Sequence, residues 1–81
     1  MIKSVDQVYN FINQIKQGCG KYRYNDIATR LEDAMHLGSS GLEILGAIRT
    51  ILVEEQTRLL NIANKDELNS IVKFVDKAYG R

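Results

Sequence analysis

The chain has no proline and no tryptophan, and it has only one cysteine and one histidine. Each scarcity removes a class of structure or chemistry. Without proline, long helices can run without forced kinks. A single cysteine, Cys19, excludes an intrachain disulfide. A lone histidine, His36, leaves no Cys/His cluster for structural zinc. No window approaches about 18 uninterrupted apolar residues, the length of a membrane-spanning helix. The opening Met1-Ile2-Lys3-Ser4 has no apolar stretch behind its lysine, so no secretory signal is expected. The formal net charge is only +1, which predicts no strong attraction to nucleic acid or to an anionic membrane. With the unpaired thiol, these absences point to the cytoplasm.

What is present is an ordinary globular composition, 44% hydrophobic and 26% charged over 81 residues. That balance argues against disorder and for one domain spanning residues 1–81. A chain of this size buries about 60–65% of its unfolded surface, so its core is thin. The charge is unevenly spread. Residues 31–55 carry five acidic side chains and one basic one, whereas the segments on either side are net basic. Either neighbouring helices complement one another, or a charged face is kept for a partner.

Four segments show the three-and-four spacing that lines one face of a helix. The first runs from Val5 to Gln17, with Val5, Val8, Tyr9, Ile12 and Ile15 as its stripe. Ser4 and Gln7 form a capping-box pattern before it, and Gly18 and Gly20 are expected to stop it. The second runs from Asn25 to Leu37, with Asn25 as N-cap and Ile27, Leu31, Ala34 and Met35 as its stripe. Gly38 ends it. The third is the most apolar and is expected to run from Gly41 to Ile62, opened by Ser40 and Glu43. Leu42, Leu45, Ile48, Leu52 and Leu59 form one stripe, and Ile44, Ile51 and Val53 widen it beyond a single face. Gly46 inside it suggests the close approach of a neighbour. The fourth runs from Lys65 to Tyr79, capped by Asn64 with Glu67. Leu68, Ile71, Val72, Val75, Ala78 and Tyr79 form its stripe. No segment alternates as a strand does. Short connections make successive helices antiparallel neighbours. The expected fold is therefore all-α, a four-helix up-down bundle with helix three central.

Candidate chemistry is sparse. His36 stands at a helix C-terminus, where it caps or is simply exposed. Cys19 is expected in a Gly18-Cys19-Gly20 turn, reactive only if Lys16 or Lys21 lowers its pKa. The carboxylate pairs Glu32-Asp33, Glu54-Glu55 and Asp66-Glu67 diverge by about 100° around a helix, so none converges on one point. No cofactor and no metal is expected, and no enzyme. The segment Lys21-Tyr22-Arg23-Tyr24 interleaves cations with aromatics. Such interleaving suits a protein interface, where tyrosine and arginine are enriched. It also suits nucleic acid, with Lys21, Arg23 and Arg30 on phosphates, although the near-zero net charge argues against that. A third use is structural, with the tyrosines plugging the end of the bundle.

The stretch Leu31-Glu32-Asp33-Ala34-Met35-His36-Leu37-Gly38-Ser39-Ser40-Gly41-Leu42-Glu43-Ile44-Leu45-Gly46-Ala47-Ile48-Arg49 resembles a pattern in small uncharacterised bacterial helical proteins. In that pattern a helix ends in leucine-glycine, and a serine- or threonine-glycine turn opens the next with Glu-Ile-Leu and an arginine. Some of these proteins are similar to immunity or antitoxin partners, so the resemblance implies a protein-binding role. It assigns no functional residue. The sequence thus points to a helical protein–protein interaction module, with a protein partner or homodimer. Its expected contact residues are Tyr22, Arg23, Tyr24 and Arg49, with Glu54 and Glu55 as an acidic alternative. The alternative reading is a small nucleic-acid-associated regulator that uses residues 21–30.

Overall fold

Ser4 begins the first helix as the sequence leads one to expect. Its hydroxyl accepts from the Gln7 backbone N–H, and the Gln7 side chain accepts in turn from the Lys3 N–H. In the computed structural model, which describes residues 2–36 and 40–80, helix α1 spans Val5–Tyr22. It therefore passes through Gly18 and Gly20 instead of stopping there. The reason is tertiary. A Cβ on Gly18 would lie 2.5 Å from Cγ2 of Ile62, so this glycine makes room for a packed side chain. The helix ends on Arg23, at φ 63 and ψ 31. The Tyr24 N–H donates to the Cys19 carbonyl at 2.8 Å, and the Arg23 N–H to that of Gly20 at 3.4 Å. This is a Schellman closure with arginine where glycine is the usual occupant.

Helix α2 spans Asn25–Met35. Its N-cap is Tyr24, which makes no side-chain capping bond, so Asn25 is the first helical residue and not the cap. The expected end at Leu37 and Gly38 lies outside the described residues. Helix α3 spans Gly41–Glu54, with the Ser40 hydroxyl accepting from the Glu43 N–H. The single helix expected to reach Ile62 is interrupted at Glu55, and a short helix, α4, follows over Gln56–Leu59. The interruption falls where the apolar stripe has a gap. Leu52 and Leu59 are buried, and the positions between them that would continue the stripe are Glu55 and Gln56. Helix α5 spans Lys65–Ala78 behind a complete Asn64/Glu67 capping box.

The described residues contain no strand, and the chain is all-helical. Helix α1 packs on α2, α2 on α3, and α3 on α5, with α4 against the end of α3. The core takes Ile12 and Ile15 from α1, Ile27 and Leu31 from α2, Ile48 and Leu52 from α3, Leu59 from α4, and Leu68 and Ile71 from α5. Each such side chain stabilises the fold by about 1.5–3 kcal/mol on burial. No polar or charged residue is buried among those described. The radius of gyration is 11.6 Å, close to the ~11.7 Å expected of a compact chain of this length.

Four residues expected on the apolar stripes are exposed instead, Val5, Leu42, Ala78 and Tyr79, and so is Val53. Of the residues that widen the third segment, Ile51 is buried and Ile44 packs half-buried on the core, which leaves only Val53 on the surface. Gly46 does mark a close approach. A Cβ there would lie 2.6 Å from the Tyr79 hydroxyl, which donates to the Leu42 carbonyl.

Candidate functional site

Most of the polar organisation lies where the start of α2 meets the junction of α3 and α4. Arg58, on α4, is its hub. Its two Nη atoms donate to the two carboxylate oxygens of Asp26 at 3.2 and 2.8 Å. Its Nε and Nη2 donate to Glu55 Oε1 at 3.0 and 2.7 Å. Glu55 also accepts from Arg30 at 3.3 Å, and Arg30 reaches Glu54 at 2.6 Å. The result is a continuous seam of alternating charge, from Asp26 through Arg58, Glu55 and Arg30 to Glu54. Bidentate pairing fixes direction as well as distance, so the seam sets how α2 sits on the α3–α4 corner. The Arg58 guanidinium beside Asp26 holds that carboxyl below the usual carboxylate range.

Tyr24 completes this corner. The Arg58 guanidinium lies over its ring, 5.3 Å from the centroid, a cation–π contact. Its hydroxyl accepts from Asn61 Nδ2 at 2.9 Å. On its outer side it stacks against Tyr22, with centroids 5.9 Å apart and planes 20° from parallel. Tyr22 is 46% exposed. Between the two stands Arg23, exposed and held in the left-handed conformation. For a residue with a Cβ that conformation costs about 1–2 kcal/mol. Backbone strain of this kind gathers at binding and switch sites. Within the three-residue run expected to bind, the two tyrosine rings stack on each other, and Arg23 stands between them in sequence.

The other expected contact residues stand apart from that surface or are already engaged. Arg49 pairs with Asp76 across α3 and α5, at 2.7 Å. The charges of Glu54 and Glu55 are met within the chain by Arg30 and Arg58. Of the cations in the alternative nucleic-acid reading, Arg30 is committed to Glu54 and Glu55, which leaves Lys21 and Arg23. Arg58, Asp26 and Asn61 escaped the sequence reading. Arg58 and Asp26 lie 32 residues apart, and Asn61 and Tyr24 lie 37 apart. No local pattern joins them.

The two groups with possible chemistry are placed quietly. Cys19 is fully buried within α1, not in a turn. Burial, and secondarily the charge of Asp26, push its thiol pKa up, away from the reactive thiolate. His36 is the C-cap residue of α2, and its Nε2 lies 2.9 Å from Glu32 Oε1. Glu32 also pairs with Lys16 of α1, and these contacts hold its carboxyl below the usual range. Among the described residues no three His, Cys, Asp or Glu side chains gather to hold a metal ion. No helix among them is long and apolar enough to cross a membrane.

Comparison of the chain with protein-family models, with curated proteins and with solved structures finds no match in any of the three.

Proposed function

We propose that this chain is a non-enzymatic protein–protein interaction module, and that Tyr22, Arg23 and Tyr24 are the centre of its contact surface. One observation carries the reading, the stacked tyrosine pair whose Tyr24 is held by Arg58 and Asn61. Aromatic anchors held in place before a partner arrives lose little conformational freedom on binding. Tyrosine and arginine dominate the energetics of many interfaces.

The occupant of this surface is a protein partner or a second copy of the chain, in an immunity-like or regulatory role. That role rests on the resemblance over residues 31–49, of which Leu37, Gly38 and Ser39 lie outside the described residues. We further read α1, α2, α3 and α5 as an up-down four-helix bundle with α3 at its centre, and place the module in the cytoplasm on the evidence of its single thiol. The test compares wild type with Tyr22→Ala and Arg23→Ala. The expected result is a protein captured from native lysate, or a dimeric mass in solution, that is lost in both variants. A strictly monomeric wild type that captures nothing sensitive to either substitution contradicts the reading.

A further inference from the structure

Between the residues that precede α1 and the outer face of α5 runs a groove of about 760 Å³, lined by Ile2, Lys3, Ser70, Lys73, Phe74 and Lys77. Ser70, Lys73, Phe74 and Lys77 follow the three-and-four spacing of a single helix face. Ile2 and Phe74 are half-buried against the core and form an apolar floor. Lys3, Lys73 and Lys77 are exposed along the rim. None of these lysines has a carboxylate partner among the described residues, a property they share with Lys21, Arg23 and Lys65, whereas Lys16, Arg30, Arg49 and Arg58 all have one. What sets these three apart is that they share one groove and surround an apolar floor.

We infer that this groove binds an extended acidic peptide segment of a partner protein, with carboxylates on Lys3, Lys73 and Lys77 and a large apolar side chain on Ile2 and Phe74. Lys73 and Lys77 are separated by a rise of about 6 Å along the helix. Alternate residues of an extended peptide are about 6.6–6.8 Å apart on one face, so two carboxylates spaced by one residue meet both lysines. Glu67 borders the adjoining hollow with Ile2, Phe11 and Ser70, and its carboxylate caps the start of α5. That negative charge repels an acidic residue at this end and so directs the carboxylates toward Lys73 and Lys77. The recessed floor distinguishes the site from a membrane-binding face, whose apolar side chains must project outward. The inference rests on the reading that the chain acts by binding protein, but not on the Tyr22–Tyr24 surface.

The experiment is a fluorescence-anisotropy titration with a labelled peptide that carries glutamate, glutamate and leucine in turn at every second position, on one face of the extended chain, with serine between them. Control peptides alternate glutamate with serine and lysine with leucine. The first peptide is expected to bind, and both controls to bind about tenfold more weakly or worse. Lys73→Gln with Lys77→Gln lowers the affinity by about tenfold. Lys3→Gln, outside any helix, lowers it in the same direction. Tyr22→Ala leaves it unchanged. Equal affinity for wild type and the lysine variants overturns the inference. So does tighter, lysine-dependent binding of single-stranded DNA or of phosphatidylglycerol vesicles than of the peptide. If the peptide fails to bind while partner capture still depends on Tyr22 and Arg23, this inference falls and the proposed function stands. If capture is insensitive to Tyr22 and Arg23 while the lysine-dependent peptide binding persists, the groove stands and the tyrosine surface falls.

Discussion

The α2 corner and the α5 groove both carry several charged side chains, yet they use them in opposite ways. At the corner, Arg58 and Arg30 are each shared between two carboxylates, and each reaches from one helix to another. Charges there close against one another and define an orientation. At the groove, Lys3, Lys73 and Lys77 stand at the surface with no such partner among the described residues. The contrast separates cations that hold the fold from cations left available. It also shows why net charge is a poor guide to either. A chain at +1 contains both a nearly neutralised seam and an uncompensated basic rim.

The largest expected effect comes from removing the ring that ties the corner together. Tyr24→Ala deletes a half-buried aromatic, its stack on Tyr22, its place beneath Arg58 and the Asn61 hydrogen bond. It should cost about 2–3 kcal/mol of stability, read from denaturant unfolding. A loss close to zero would mean that the corner is not organised through this ring.

Arg23→Gly should act in the other direction. It relieves the left-handed strain and raises stability by about 1 kcal/mol. The same change removes the exposed cation between the tyrosines, so partner capture should weaken as the fold strengthens. A variant that gains stability and keeps full capture would leave Arg23 without a role in binding.

The smallest effect is in acid. Asp26 and Glu32 have lowered pKa values because of Arg58 and of Lys16 with His36, respectively. A carboxylate with a depressed folded-state pKa contributes stability above its unfolded pKa and loses it as pH falls through the folded one. The loss therefore begins as pH falls toward the unfolded carboxylate value of about 4 and is complete once pH lies below the lowered folded-state values. It is small, because both groups are open to solvent. Asp26→Asn should flatten this part of the stability–pH curve, and Lys73→Gln should leave its shape unchanged.

How much of this was legible depended on how far the physics reached along the chain. Ser4, Ser40 and Asn64 cap helices through partners three residues away, and all three caps can be read directly from sequence. The stripes Val8-Ile12-Ile15 and Leu68-Ile71-Val75 are legible for the same reason. Gly18 is not. A glycine serves equally as a helix stop or as room for a neighbour, and Ile62, far along the chain, decides between them. Cys19 changes from a turn thiol to a core residue with the same decision. The break at Glu55 carries no glycine or proline, and shows only as the missing apolar residue between Leu52 and Leu59. At the candidate site, the Tyr22-Arg23-Tyr24 run stands out locally. The residues that hold it, Arg58, Asp26 and Asn61, are distant in sequence. Phe74 and its flanking lysines lie on a second face of α5 that the main stripe hides.

Whether seam cations hold the fold while rim cations do not is decided by thermal unfolding of two matched variants. Arg58→Gln neutralises the hub of the seam, and Lys73→Gln with Lys77→Gln neutralises two charges on the rim. The prediction is a lowered melting temperature for Arg58→Gln and a wild-type melting temperature for the double lysine variant. Equal losses in the two, or a greater loss from the lysines, would contradict it.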